Sequence, residues 1–299
     1  MKIYTQIQDI GYRILVLLVK AISRLPLWLL YIISDCLYPV VYYLVRYRKK
    51  VVFENLRNSF PEKSEKEITI IAQKFYHHFC DLIIEIVKLN HISANEITRR
   101  FKLRNPEKFN PEWKQKKHIL FVLGHYNNWE WGCCFPMQIP KDYTFSAIYK
   151  PLTNKYFDNL FLKMRSRFGA LPIPINKTGR TTAEFIRNKK LLMLNFIADQ
   201  SPSQGDIKYW TTFLNQETPV YIGIENMARK IRQPVYFFRV IKIKRGYYEV
   251  EAEKLCDDCN DLEPNELTEM HVRILERQIQ EAPQYWLWSH RRWKVKKDE

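Results

Sequence analysis

Glycine is scarce in this chain, with eight residues in 299. So few make a glycine-rich cradle for nucleotide phosphates hard to build, because such loops need backbone conformations that glycine alone adopts freely. Negative charge is also short: 32 Asp and Glu stand against 48 Lys and Arg, a formal net charge of +16. A surface of that sign attracts anions, whether nucleic acid, acidic lipid headgroups or an acidic carrier protein. Charge alone does not choose among them. Six cysteines form no disulfide framework, and only Cys256 and Cys259 make a Cys-x-x-Cys, in an acidic setting. No second Cys or His pair stands at metal spacing, and the neighbouring Asp257 and Asp258 disfavour a reactive thiolate. The pair reads as a surface loop with reduced thiols, in a reducing compartment. There is no internal repeat, no low-complexity linker and no recognisable nucleic-acid module, so neither a metal, an organic cofactor nor a nucleic-acid partner is expected.

Apolar residues are plentiful, at 46%. Residues 13–46 are the most apolar part of the chain, and within them 25–45 carry Asp35 as their one charge. Twenty-one residues are enough to cross a hydrocarbon core, which needs about 20. Asp35 and Pro39 interrupt the run near its middle, and an ionised Asp there costs roughly 2.5–3.5 kcal/mol on insertion scales. Lys20 and Arg24 precede it, and Arg46, Arg48, Lys49 and Lys50 follow, a cluster suited to anionic lipid at a cytoplasmic face. It starts late for a signal peptide and lacks a small-residue cleavage site. Three readings are open: a spanning helix, a helix lying in the interface, or a buried helical hairpin. The sequence divides on this basis into an apolar helical membrane-attachment segment, 1–50, and a larger domain, 51–299.

Beyond it, 50–60 reads as a helix, and Ser64 with Glu67 reads as a capping box opening another. That helix carries Ile68, Ile71, Phe75 and Phe79 at helical spacing, with His77 and His78 in ordinary helix roles. The apolar run 119–123 has the length of a buried strand. Strands are expected at 144–149, 170–175 and 191–197, with helices at 153–168, 179–190, 218–230 and 264–281. Residues 235–244 and 247–254 form a hairpin about Gly246. Strands alternating with helices predict an α/β fold with a mixed sheet flanked by helices.

The sharpest chemical feature is Gly124-His125-Tyr126-Asn127-Asn128-Trp129-Glu130. A histidine directly after a buried strand sits where functional groups gather, and a carboxylate follows five residues later. With Glu130 on the first turn of the next helix, its carboxylate can fold back beneath the imidazole and fix the tautomer. The other ring nitrogen is then free to take a proton from a hydroxyl as a general base. The plain alternative has His125 capping the helix and Glu130 in solvent.

This pattern resembles the signature of glycerolipid acyltransferases, and within them the chain is similar to the lipid A late acyltransferases. The resemblance covers most of the chain in six ordered blocks. They are Tyr47-Arg48-Lys49-Lys50-Val51-Val52 with Asn55 and Ser59-Phe60-Pro61; the His125–Glu130 block; Tyr149-Lys150-Pro151-Leu152-Thr153-Asn154, with Lys150 where arginine is usual; Arg165-Ser166-Arg167-Phe168-Gly169; Ala198-Asp199-Gln200 with Phe213-Leu214; and the terminal run from Pro283 to Lys294. The resemblance implies His125 as base and Glu130 as its partner. It implies substrate contacts from Asn128, Lys150, Asp199, Gln200, Arg291, Arg292 and at least one of Arg165 and Arg167, since guanidinium suits phosphate. It further implies acyl carrier protein as donor, a phosphorylated lipid A precursor as acceptor, anionic lipid around it, and a place on the cytoplasmic face of a bacterial inner membrane. A different membrane lipid as acceptor, or a basic membrane-binding protein without catalysis, are the competing expectations.

Overall fold

Alternating strands and helices do build a mixed α/β fold, and the computed structural model describes residues 2–297 of it. Helices α1 (Lys2–Ile22) and α2 (Leu27–Pro39), the latter continued by a π-helical turn (Val40–Leu44), precede α3 (Lys49–Ser59) and α4 (Glu65–Lys88). Ser64 caps α4 as expected: Glu67 N–H donates to its hydroxyl and its own N–H donates to the Glu67 carboxylate at 2.8 Å. Next come α5 (Ala94–Arg100), β1 (Phe101–Leu103), α6 (Asn110–Lys114), β2 (Ile119–Leu123), a 3-10 helix (Trp129–Met137), β3 (Tyr143–Tyr149), α7 (Lys155–Ser166) and β4 (Leu171–Pro174). The chain continues through α8 (Thr178–Arg187), β5 (Leu191–Ile197), β6 (Tyr209–Phe213), β7 (Gln216–Val220), α9 (Gly223–Ile231), β8 (Val235–Lys244), β9 (Tyr247–Cys256) and α10 (Glu266–Glu281).

Seven strands form one sheet in the order β1-β9-β8-β2-β5-β3-β4. The five from β8 to β4 run parallel, and β9 turns back antiparallel to β8. β2 is buried along its whole length because both faces are covered: Leu120 and Val122 enter one core, Ile119, Phe121 and Leu123 the other. Each such side chain contributes roughly 1.5–3 kcal/mol by leaving water. The chain passes from β2 to β3 and out to the edge strand β4, then returns to insert β5 between β2 and β3. The C-terminal ends of two parallel neighbours, β2 and β5, therefore lie side by side, with Leu123 in register with Ile197. In open α/β sheets this is where ligands bind.

Two expectations need correction. The helix predicted over 218–230 starts only at Gly223, because Thr218 and Pro219 belong to β7, paired antiparallel with β6 in a separate ribbon. A two-stranded ribbon tolerates a proline, whose missing N–H costs least where pairing is one-sided. The Cys256–Cys259 pair is not a surface loop: Cys259 is fully buried and Cys256 half-buried. Burial pushes the Cys256 thiol up to about 12 and the Cys259 thiol to about 11.

The N-terminal run is helical, and Leu27–Leu44 is long and apolar enough to cross a membrane by length and composition. One face of α2 nevertheless seats on α4: Leu27, Leu30 and Ser34 are buried, and the Ser34 hydroxyl donates to Asp81 at 2.8 Å. Asp35, the charge that interrupts the run, pairs with Arg245 at the tip of the β8–β9 hairpin, and the same guanidinium pairs with Asp81.

Candidate active site

His125 stands two residues beyond β2, and Asp199 two residues beyond β5. Side-by-side strand ends bring them together. The His125 ring Nδ1 and Asp199 Oδ1 are 2.6 Å apart, and the other carboxylate oxygen, Oδ2, accepts from the His125 backbone N–H at 2.8 Å. Trp286 Nε1–H donates to the same Oδ2 at 2.8 Å. Burial alone would raise the Asp199 carboxyl, but the adjacent imidazole and the donors from His125 and Trp286 outweigh it and hold it at about 2. An ionised Asp199 keeps the proton on Nδ1 and leaves Nε2 with a lone pair. Gln200 places its side-chain nitrogen 3.2 Å from that Nε2, on the side where a substrate hydroxyl would have to arrive. Gly124 makes the close approach possible: a Cβ there would meet Leu275 at 2.7 Å and Asp199 Oδ2 at 3.1 Å.

Glu130 does not lie beneath His125. Asn127 adopts a left-handed turn and the chain enters a 3-10 helix at Trp129, so it is the Trp129 ring that stands edge-on to the imidazole, centroids 4.8 Å apart. Glu130 instead makes a two-pronged ion pair with Arg165 of α7, at 2.9 and 2.5 Å. Burial disfavours the Arg165 charge, but Glu130 more than restores it and raises its pKa. Two oriented pairs thus flank one short segment, the first holding an imidazole tautomer and the second a guanidinium.

A model of the bacterial lipid A biosynthesis acyltransferase family matches residues 4–295, nearly the whole chain. The protein belongs to that family. No curated protein sequence matches it at a significant level. Membership makes acyl transfer of the lipid A type its chemistry, and it gives the sequence blocks a common physical reading in this lipid A acyltransferase.

The terminal block is a clamp on the His125 loop. Leu287 N–H donates to the His125 carbonyl at 3.2 Å, Asn127 N–H donates to the Tyr285 carbonyl at 2.9 Å, and Tyr126 bridges to Trp286. The first block holds that clamp from behind: Asn55 donates to the carbonyls of Trp288 and His290, and Arg48 to that of Ser289. Trp288 is fully buried between them. His290 accepts from the Ser201 N–H at 3.4 Å, a structural part beside the Asp199 turn.

Among the other expected substrate contacts, several are engaged elsewhere. Arg167 donates to the Leu89 carbonyl at 2.8 Å, which separates it from its neighbour Arg165. Arg292, only 2% exposed, donates to the Pro219 carbonyl at 2.6 Å, and burial pulls its pKa down to about 10. Asn128 is fully buried and gives its amide to Glu85 at 2.7 Å, while its carbonyl caps the 3-10 helix by accepting from Trp131 N–H. Lys150 and Arg291 are exposed.

Glu85 is a hub that sequence reading missed. Its buried carboxylate accepts from Tyr31 of α2, Tyr248 of β9 and Asn128 of the His125 loop, at 2.8, 2.8 and 2.7 Å. Its backbone carbonyl accepts from Trp131 Nε1–H at 3.0 Å. Burial raises its pKa, and Lys242 and the two tyrosine donors act against that rise.

Proposed function

We propose that this lipid A acyltransferase moves a fatty acyl chain from acyl carrier protein to a hydroxyl of a phosphorylated lipid A precursor, with His125 as general base. The observation that carries the reading is the His125–Asp199 pair at adjacent parallel strand ends, with Nδ1 on the carboxylate and Nε2 beside Gln200. In the reaction, Nε2 takes the hydroxyl proton as the oxygen attacks the thioester carbonyl. The tetrahedral intermediate then collapses, the C–S bond breaks, and the departing sulfur takes the proton back from the imidazolium. Asp199 stabilises the imidazolium between these steps, as the third member of a catalytic triad does. No covalent enzyme intermediate is required.

Arg165, held charged by Glu130, retains N–H donors beyond the two that bind the carboxylate, and its side chain is one-quarter exposed. These donors suit the acceptor's phosphate or the developing oxyanion. The +16 charge suits an acidic carrier protein and an anionic lipid surface alike. We place the enzyme at the cytoplasmic face of a bacterial inner membrane, where both substrates meet.

The test is transfer of labelled acyl groups from acyl carrier protein to a tetra-acylated lipid A precursor by wild type and folded His125→Ala. Product that depends on His125 supports both substrate class and base. Turnover only with another membrane lipid would retain the base and replace the acceptor. Undiminished transfer by His125→Ala would remove the mechanism.

A further inference from the structure

The apolar stretch Leu27–Leu44 has the length of a membrane span, yet its polar contacts sit on one side. Tyr31, Ser34 and Asp35 are joined to Glu85, Asp81 and Arg245, all in the catalytic body. At the turn before α2, the Lys88 ammonium holds the carbonyls of Ser23 and Leu25 at 3.2 and 2.7 Å. A helix standing upright in a bilayer would draw α4 and the hairpin tip into hydrocarbon with it, or else abandon these bonds and strand buried charge.

The opposite side is apolar and uncovered. On α2 the exposed crest runs through Trp28, Ile32, Cys36 and Val40, spaced by four residues, and ends at Tyr43 and Leu44. On α1 the exposed large apolar side chains include Ile14, Leu15, Leu17, Leu18 and Ile22, with Arg13 and Lys20 exposed on the same helix. Val16 and Val19 of α1 and Leu27 and Leu30 of α2 join the same core cluster, so both helices turn their free faces outward from it. The basic residues Lys20, Arg24, Arg46 and Lys50 are exposed at the ends of these segments, and Trp28, Tyr43 and Tyr47 add the amphipathic rings typical of the headgroup level. An apolar face of this extent, rimmed with positive charge, fits an anionic bilayer.

We propose that α1, α2 and the π-helical turn lie in the plane of the membrane with their exposed apolar faces half-sunk in one leaflet, and that Leu27–Leu44 does not span it. The inference rests on the membrane association proposed above but not on the identity of the acceptor. The catalytic body then hangs directly beneath the leaflet, with the Glu85 hub linking the lipid-facing helix to the His125 loop.

The full-length protein, carrying Cys256→Ser and a spin label on the exposed Cys36, is mixed with vesicles of phosphatidylcholine alone or with phosphatidylglycerol. Binding is expected to favour the anionic vesicles and to weaken with salt. Lys20→Ala and Lys50→Ala should each weaken it about fivefold. The label should sit about 5–10 Å below the headgroup boundary. A label near the midplane of the roughly 30 Å core would show a spanning helix and overturn the proposal while leaving membrane association intact. Failure to bind either vesicle would overturn both.

Discussion

Asp199→Asn tests the His125 pair with little change of shape. Asp199 Oδ2 accepts two N–H groups, from the His125 backbone and Trp286, while Oδ1 faces His125 Nδ1. An asparagine has one oxygen to give. If that oxygen faces Nδ1, the amide nitrogen confronts two buried donors, at about 1–3 kcal/mol for each one left unsatisfied. The favoured orientation therefore puts oxygen on the two donors and the NH2 group against Nδ1. Nδ1 must then accept, the ring proton moves to Nε2, and the base is lost at the position facing substrate. In serine-protease triads the same tautomer error lowers kcat by about 10⁴-fold, or about 5.4 kcal/mol of barrier. Asp199→Asn is accordingly expected to lower kcat by about 10³–10⁴-fold, with KM nearly unchanged and a melting temperature close to wild type. The assay is steady-state acyl transfer beside thermal denaturation. A folded Asp199→Asn enzyme within tenfold of wild-type kcat would refute the dyad.

Glu130→Ala should destabilise the fold by about 3 kcal/mol by leaving Arg165 charged and largely enclosed, and Glu130→Met with Arg165→Met should recover stability in denaturant melts. If the pair serves substrate, the double variant will remain inactive; recovery of transfer would make the pair purely structural. Trp286→Phe removes one donor from Asp199 while keeping the aromatic core, and should lower kcat without abolishing it; an unchanged kcat would show that the donor is dispensable. His271, buried and held near 4 by that burial, stays neutral while the unfolded chain protonates. Its full stability contribution is present above about pH 6.5 and falls as pH drops towards 4, by about 2 kcal/mol at pH 5. Melts at pH 7 and pH 5 should show this loss reduced in His271→Gln, and an equal loss in both proteins would contradict it.

Local patterns in the sequence were good guides wherever one element decided the outcome. The Ser64 capping box, the buried run of β2 and the hairpin about Gly246 rest on side chains within a few residues of one another, and each forms as expected. The position of His125 after β2 was legible for the same reason. Its carboxylate partner was not. Glu130 and Asp199 are both acids beyond a predicted strand, and choosing between them requires knowing that β5 returns to lie beside β2, a pairing across about 74 residues. Spacing along the chain favoured the nearer acid; the register of the sheet favours the farther. The burial of Arg292 was not legible for a related reason: only the packed Trp-rich segment shows that it is carried into the core. Nothing in the local pattern around Glu85 marks it, because its three donors come from α2, β9 and the His125 loop.

That hub bears on how the protein should be handled. Removing the apolar N-terminus to obtain a soluble fragment is a natural step when a segment looks like a detachable anchor. Here the cut would take away Tyr31, Ser34 and Asp35 together with the Ser23 and Leu25 carbonyls. Glu85, Asp81, Arg245 and Lys88 would each lose a partner at a freshly exposed surface, and Glu85 is the residue that holds Asn128 of the His125 loop. The N-terminal helices are therefore part of the architecture that holds the His125 loop, and purification with residues 2–45 retained is the route that keeps that loop seated.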